Sequence, residues 1–282
     1  MNAPLLPTPH AEPFFFDVEP GTRFSLYHAP APQMPARGAI LYVHPFADEL
    51  NHARRMASLQ ARRFAAMGYA VLQMDLFGCG DSCGDFHSAR WDQWHRDLGT
   101  AFAWLRERCA GPGYIWGLRL GALLAMDFAR TAPVDGLVLW QPYLNGRMAI
   151  NQFLRQRLAA DLQRGIPLAA RTTSALRARL AVHGTIEVSG YDLAAPLAKA
   201  IDACDASAMI LPPCPVHWFA TGAAAPDRLA PSAARLASAW ARHGTSLHFH
   251  ALIGVPFWSR PDLPECPALL EATSDAFCPG AS

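Results

Sequence analysis

The turn Gly117-Leu118-Arg119-Leu120-Gly121 is the stretch with the clearest link to chemistry, because it joins an apolar strand-like run to a helix-like one. In turns of the form G-x-S-x-G, the glycines allow a sharp bend and the central serine is exposed for acyl transfer. Here the centre is Arg119, whose guanidinium stays protonated in proteins and is no nucleophile. The turn therefore predicts a site without serine hydrolysis; an ordinary strand–helix turn is the alternative.

The other members of a serine-based triad are also missing from their expected places. The stretch after the last predicted strand, Leu252–Trp258, holds no histidine. His248 and His250 precede it on the strand, where a period of two puts them on one face as packed or exposed residues. Asp227 is the acid candidate, although a solvated aspartate explains it equally well. Loss of a triad serine lowers turnover about a million-fold in the enzyme where it was dissected.

Arg119 is expected to have a negatively charged partner. The start of a helix is already positive, which disfavours a cation there by roughly 0.3–1 kcal/mol. Glu49 or Asp48 from the neighbouring loop is the first candidate, and the arginine would then be a structural strut that closes the pocket. A ligand carboxylate or phosphate is the second, because a guanidinium binds either through two parallel hydrogen bonds. We favour the strut.

Further side chains are expected at the same edge of the sheet, because ligands bind at the carboxyl ends of parallel strands. An aromatic cleft there would suit an acyl, isoprenoid or sugar group, but simple packing explains the aromatic residues equally well. The ligand-binding candidates are Arg119, His44, Phe46, Glu49, Leu118, Gln141, Trp140 and Trp258.

His44, Asp48 and His52 raise the question of a metal site. Their spacing is loose and a fourth ligand is not apparent, so a loop histidine beside carboxylates is the better explanation. We expect neither a metal nor another cofactor. Ser82 could be imagined as a substitute nucleophile, but we expect it to hold its loop through side-chain hydrogen bonds.

A mostly parallel sheet with helices on both faces is predicted to position these residues, because strands and helices alternate along the chain. The predicted strands are Pro13–Val18, Thr22–Tyr27, Ala39–Val43, Tyr69–Asp75, Tyr114–Gly117, Gly136–Trp140, Val216–Thr221 and Leu247–Leu252. The predicted helices between them are Asn51–Met67, Ser88–Cys109, Leu120–Arg130 and Pro231–His243.

The alternation breaks after Gln141-Pro142, which predicts an inserted cap at residues 142–207 and a core made of 1–141 and 208–282. The elements predicted in the cap are helices at Ile150–Leu162, Ser174–Val182 and Leu193–Ala206 and a short strand at Thr185–Val188.

Composition gives weaker constraints. The chain has 282 residues, of which 51% are hydrophobic, and a net charge of +1, so no overall attraction to nucleic acid or anionic membrane is expected. The 7 cysteines form no CxxC pair, which indicates reduced thiols and a cytoplasmic location. Residues 1–12 lack the features of a signal peptide, and no apolar run is long enough to span a membrane.

Three segments resemble the α/β-hydrolase superfamily: the arginine-centred turn, Asp75–Ser82 with the pattern D-x-x-G-x-G-x-S, and His44–Phe46 where the superfamily builds its oxyanion loop. At a finer level the chain resembles the exosortase A system-associated hydrolase 2 family, found beside exosortase and exopolysaccharide genes in Gram-negative bacteria. The matching stretches lie between Phe15 and the C-terminus, and they are Pro45–Asn51, Arg54–Met56, Asp75–Ser82, Ala89–Trp91, Trp116–Ala125 and Pro256–Trp258. His44 departs from the pattern, since a smaller or apolar residue is expected there.

The resemblance implies an α/β-hydrolase fold and, by convention, hydrolysis of an ester or thioester. The altered turn favours the alternative, a non-catalytic pseudo-hydrolase that binds an acyl or anionic ligand or a partner protein, because a fold does not fix a function. Such a ligand and a second copy of the chain are the partners left open.

Overall fold

The structure is a computed structural model that describes residues 11–163, 172–222 and 229–278. Its strands are β1 (Ala11–Asp17), β2 (Thr22–His28), β3 (Gly38–Val43), β4 (Tyr69–Met74), β5 (Gly113–Leu118), β6 (Gly136–Trp140), β7 (Thr185–Val188), β8 (Tyr191–Ala194), β9 (Pro215–Gly222) and β10 (Ser246–Ile253). Its helices are α1 (Glu49–Ala66), α2 (Trp91–Arg108), α3 (Leu120–Ala129), α4 (Gly146–Gln163), α5 (Thr173–His183), α6 (Ala195–Asp202), α7 (Pro231–Ala241) and α8 (Pro267–Asp275).

Eight strands form one sheet in the order β1-β2-β4-β3-β5-β6-β9-β10. β1 and β2 run antiparallel to their neighbours, and the pairs from β4 to β10 are parallel. All six residues of β3 and all five of β6 are buried, as expected for strands covered on both faces. The predicted α/β fold class, with a mostly parallel sheet, is confirmed.

Alternate residues of the central strands enter two cores on opposite faces of the sheet. Leu41 belongs to the core that also contains residues of α2, α3 and α7, whereas Ile40 and Tyr42 belong to the core that contains residues of α1 and α8. The carboxyl ends of the parallel strands therefore meet at one edge, between helices that hold both faces. In the described part of the chain, no helix combines the length and the apolar character needed to cross a bilayer.

The segment between β6 and β9 contains α4, α5, α6 and the antiparallel hairpin of β7 and β8. The predicted helix Leu193–Ala206 is wrong at its start, because Leu193 belongs to β8. Ser189 and Gly190 both have positive φ and form the two-residue turn that joins the strands, a geometry that suits hairpins. The helix itself begins at Ala195, and its second residue is Pro196, a residue that is favourable at a helix start.

Candidate functional site

Arg119 lies at the bend between β5 and α3 with φ 58° and ψ −116°, a strained backbone conformation for a residue with a side chain. Both flanking glycines are needed there. A Cβ on Gly121 would lie 2.3 Å from the carbonyl oxygen of His44, and one on Gly117 would lie 2.5 Å from Cα of Ala122. The backbone is therefore that of a nucleophile-bearing turn, although its central side chain is a guanidinium.

The guanidinium of Arg119 is enclosed by one carboxylate and two aromatic rings. Its Nε and Nη2 each lie 3.3 Å from Oε1 of Glu49, and Nη2 also donates to the hydroxyl of Tyr143. Its Cζ lies 4.1 Å from the ring centroid of Tyr143 and 5.0 Å from that of Trp258, within cation–π range. The Arg119 and Glu49 side chains are only 15% and 14% exposed, so the ion pair is largely removed from water.

Glu49 is the less well satisfied member of the pair. Burial raises the pKa of Glu49, while the nearby Arg119 guanidinium acts to lower it. Its Oε2 is buried and has no hydrogen-bond partner in the described structure. Asp48, the alternative partner considered for Arg119, instead lies 3.6 Å from Nδ1 of His52. The structure thus pairs the arginine with the neighbour that carries an unsatisfied oxygen.

Tyr143 was missed as a site residue by the sequence reasoning. Its backbone N–H donates to the carbonyl oxygen of Arg119 at 3.2 Å, which brings the residues after β6 back over the bend. Burial and the neighbouring Glu49 raise the pKa of Tyr143 to about 12, so the phenol stays protonated. The available signal was its position three residues after β6, at the edge of the sheet where ligands bind.

The space beside the first turn of α3 is almost filled. A cavity of about 10 Å³ remains between the loop after β3, Leu120 and Gly121, at the lower limit for one water molecule. The ring of Phe46 fills this region, with its centroid 5.3 Å from that of Phe86 and 5.0 Å from that of Phe153. In enzymes with the G-x-S-x-G turn, two backbone N–H groups bind the substrate oxyanion: that of the residue after the serine and one from the neighbouring loop. In the described structure, the space left beside them is about that of one water molecule.

His44 is a sequence candidate whose two ring nitrogens both face backbone groups. Its Nδ1 lies 2.7 Å from the carbonyl oxygen of Pro45, and its Nε2 lies 3.2 Å from the backbone N–H of Leu76. Burial lowers the pKa of His44, so the ring is neutral and Nε2 accepts this hydrogen bond. Both nitrogens are occupied, and the side chain ties the loop after β3 to the loop after β4.

The side chains of Leu118, Trp140 and Gln141 are directed away from the Arg119 guanidinium. Leu118 and Trp140 are opposite each other in the parallel register and point into the core beneath α1 and α8. Trp140 donates from Nε1 to Oγ1 of Thr273 at 2.9 Å. Gln141 accepts from the backbone N–H of Thr221 at 2.8 Å and links the ends of β6 and β9. Of the sequence candidates, the structure brings together Arg119, Glu49 and Trp258, with Phe46 in the adjoining space.

The triad alternatives lie elsewhere. Asp227 is outside the described residues. His248 and His250 lie within β10 beside His217 of β9, whose Nδ1 is 3.2 Å from Nε2 of His250. Burial and the two neighbouring histidines lower the pKa of His217 to about 4. Arg119 contacts none of these rings.

The turn after β4 is held together by hydrogen bonds. Ser82 donates from Oγ to the carbonyl oxygen of Asp75 at 2.5 Å and accepts from the backbone N–H of Phe24 at 2.9 Å. Asp75 accepts two hydrogen bonds from Arg54, at 3.2 and 2.8 Å, and one from the N–H of Asp81 at 3.0 Å. Ser82 therefore serves the loop, as expected.

A metal centre has no support in the described parts of the chain. Within residues 11–163, 172–222 and 229–278, no three potential ligands converge. His52 faces Asp48, whereas His44 faces the backbone of Leu76.

Comparisons with known proteins agree with this architecture. A family model described as serine aminopeptidase, S33 matches residues 34–245. Lysophosphatidylserine lipase ABHD12 of Xenopus tropicalis is 32% identical over 116 residues, which are 38% of this chain and 28% of the lipase. Human protein ABHD12B is 25% identical over 169 residues, 51% of this chain and 45% of that protein. The chain thus spans less than half the length of these curated relatives.

Solved structures show the same fold. Est1E of Butyrivibrio proteoclasticus, solved with ferulic acid, superimposes with a TM-score of 0.67 at 13% identity and covers 94% of this chain and 97% of its own. Mouse α/β-hydrolase domain-containing protein 10 gives 0.58 at 12% identity, with 95% and 98% covered. At such low identity the likeness establishes the fold alone.

Proposed function

The chain belongs to the serine aminopeptidase S33 family of α/β hydrolases, and from this premise we propose that it is a non-catalytic member that binds an acyl or anionic ligand. The stretches that resemble the exosortase A system-associated hydrolase 2 family support a place in the exosortase/exopolysaccharide system. The observation that carries the proposal is the Arg119 guanidinium, which occupies the nucleophile bend and is held there by Glu49, Tyr143 and Trp258.

The bend lacks the nucleophile and the histidine that serine-dependent acyl transfer requires. A guanidinium does not attack a carbonyl carbon, and no histidine contacts position 119 among the described residues. The filled space beside Leu120 leaves no room for the carbonyl that an oxyanion hole would bind. Binding of a ligand elsewhere on the fold needs none of these parts.

The segment 142–207 is part of the proposal as a cap over the carboxyl edge of the sheet. Tyr143 packs on Arg119, Phe153 packs on Phe46, and the ring centroid of Tyr191 lies 5.1 Å from that of Phe86. These aromatic contacts support a cap that covers the bend. Seven free cysteines support a reducing compartment, which we propose to be the cytoplasm.

The ligand class is supported by one relative. The Xenopus relative is a lipase of lysophosphatidylserine, an acyl-bearing anionic lipid. A descendant that keeps binding after losing catalysis would keep affinity for groups of that kind.

A second candidate function is hydrolysis of an ester or thioester by an unorthodox route. It is favoured by Glu49, a buried carboxyl with a raised pKa beside a guanidinium, because such groups act as general bases. Glu49 would take a proton from water as the water attacked the carbonyl carbon, and would return it to the leaving group. The filled cavity ranks this route second.

The test compares wild-type protein with Arg119→Ala and Arg119→Ser on short and medium nitrophenyl esters and acyl thioesters. We expect all three to show only the protein-free rate, because a serine at 119 would contact no histidine among the described residues and would have little space for a substrate beside Leu120. Arg179→Ala, which removes an exposed arginine of α5, is the matched control. Turnover by the wild type that Arg119→Ala abolishes and Arg179→Ala retains would overturn the non-catalytic proposal.

A further inference from the structure

A second feature, on the α1 face of the sheet, does not involve Arg119. A cavity of about 480 Å³ lies between α1 and the strands β2 and β4. Its wall is largely apolar and includes Phe24, Leu26, Met74 and Leu263. Its volume is in the range of small-molecule sites, which combine an apolar lining with a few polar groups. The cavity therefore has the size and lining of a site for a small molecule.

The cavity carries an excess of positive charge. Arg54, Arg55 and Arg62 line it, and Asp75 is the one carboxylate among its described lining residues. Asp75 is already engaged by Arg54, and Arg55 pairs with Glu265 outside the cavity. Arg62 forms no ion pair within the described chain and is exposed. An anion is therefore favoured over a cation or a neutral molecule.

Tyr42 supplies an unused hydrogen-bond donor in the cavity wall. Its side chain is 5% exposed, and its hydroxyl has no partner in the described structure. A buried hydroxyl without a partner is destabilising, because it has given up its hydrogen bonds to water. Burial raises the pKa of Tyr42 well above its ordinary value, so the group stays a donor. An oxygen of an anionic head group would accept its hydrogen.

The polar and apolar ends of the cavity determine which way round a ligand would lie in it. A second cavity of about 440 Å³ shares Leu50, Asn51 and Arg54 with the first and continues toward the cap. Its other walls include Asp81 and Tyr191, whose hydroxyl lies 3.3 Å from Nδ2 of Asn51. The polar end is thus at Arg54, and the apolar end lies along β2.

We infer that this cavity binds an amphiphilic anion, with a carboxylate or phosphate head between Tyr42 and Arg54 and an alkyl body along Phe24, Leu26 and Leu263. The inference rests on the proposed binding function and names its site and ligand class. It also gives Arg54 a role beyond its ion pair with Asp75.

Calorimetric titration of the full chain tests the inference, with dodecanoate, dodecyl phosphate, dodecanol and acetate below their aggregation limits. We expect one or both of the amphiphilic anions to bind at least tenfold more tightly than dodecanol or acetate, and the comparison of the two heads identifies the preferred anion. Dodecanol binding as tightly as both anions, or no binding by either anion, would overturn the proposal.

Two variants locate the site. Tyr42→Phe is expected to weaken anion binding about tenfold and to raise the melting temperature of the free protein, because it removes an unsatisfied group. Ser58→Trp fills the cavity from α1 and should abolish binding, whereas Ser238→Trp on the exposed side of α7 should not. Unchanged affinity in Tyr42→Phe, or in a folded Ser58→Trp protein, would place binding elsewhere.

The two proposals fail in different assays. Ester turnover that depends on Arg119 would remove the non-catalytic function but leave the titration result intact. Absence of amphiphile binding without any turnover would remove the cavity proposal and leave the Arg119 bend as described.

Discussion

The turn after β4 and the bend after β5 lie at the same edge of the sheet and treat charge differently. In the first, the Asp75 carboxylate receives three hydrogen bonds, and Ser82 closes the loop. In the second, Arg119 and Glu49 meet at 3.3 Å on a strained backbone, and one Glu49 oxygen has no partner. The first turn is satisfied by hydrogen bonds, whereas the second places a guanidinium on the backbone of a nucleophile-bearing turn and leaves one carboxylate oxygen without a partner.

Asp75→Ala is the largest test of this comparison. We expect a loss of about 3–5 kcal/mol in the free energy of unfolding, because Arg54 and the N–H of Asp81 lose a shared buried acceptor. Urea unfolding at neutral pH measures it, with Asp75→Asn as the isosteric control that should lose less. A loss under about 1 kcal/mol would mean that the turn after β4 is not the better-built of the two.

Arg119→Ala is expected to lose about 2–3 kcal/mol at neutral pH, because it leaves the Glu49 carboxylate buried and unpaired. In the variant, the pKa of Glu49 in the folded state rises further above its value in the unfolded chain. Stability therefore falls as pH rises from the unfolded-state pKa to the folded-state pKa. Acidification from about pH 8 to about pH 5 should therefore shrink the deficit, and Glu49→Gln should remove its pH dependence.

Urea unfolding of Arg119→Ala across that pH range is the measurement. A loss in the free energy of unfolding that is the same at every pH would show that it does not come from a buried, unpaired Glu49 carboxylate. It would also remove the electrostatic difference between the two turns, which would then differ only in backbone strain.

The smallest expected effect is that of His217 on the pH dependence of the free energy of unfolding, which adds to the effects of the two turns. The pKa of His217 is lowered to about 4 from 6.5, so the unfolded chain takes up the proton first as pH falls. Its contribution to stability is present above pH 6.5 and is lost toward pH 4, opposite in sign to that of Glu49. After allowance for partial exposure we expect roughly 1–2 kcal/mol. Urea unfolding of His217→Asn should show a flatter profile; an unchanged slope would contradict this.

Much of the fold is readable in the sequence because several local signals agree. Apolar runs such as β3 and β6, and the glycines on either side of Arg119, each specify the same parallel sheet. The strand β7 was predicted with its observed bounds, but β8 was missed because Ser189-Gly190 is a weaker turn signal than Asn-Gly. β8 is only four residues long, too short for the period of two to outweigh a helical pattern.

Side-chain direction limits what the sequence says about the site. Asp48 and Glu49 are neighbours at the start of α1, and successive helical residues point about 100° apart, so only the helix orientation decides which one meets Arg119. Trp140 and Leu118 end their strands at the expected edge but face the core. Tyr143 reaches the guanidinium because the backbone after β6 folds back, a long-range contact that local patterns do not encode.

The near-absence of free volume beside Leu120 bears on how reversible this site is. Under the proposed function, exchanging Arg119 for serine would restore one functional group in a place where a substrate has no room. Serine-dependent hydrolysis would also require a smaller side chain in place of Phe46 and a histidine near the bend. No single substitution would supply all three, so this bend would return to hydrolysis only through several coordinated changes.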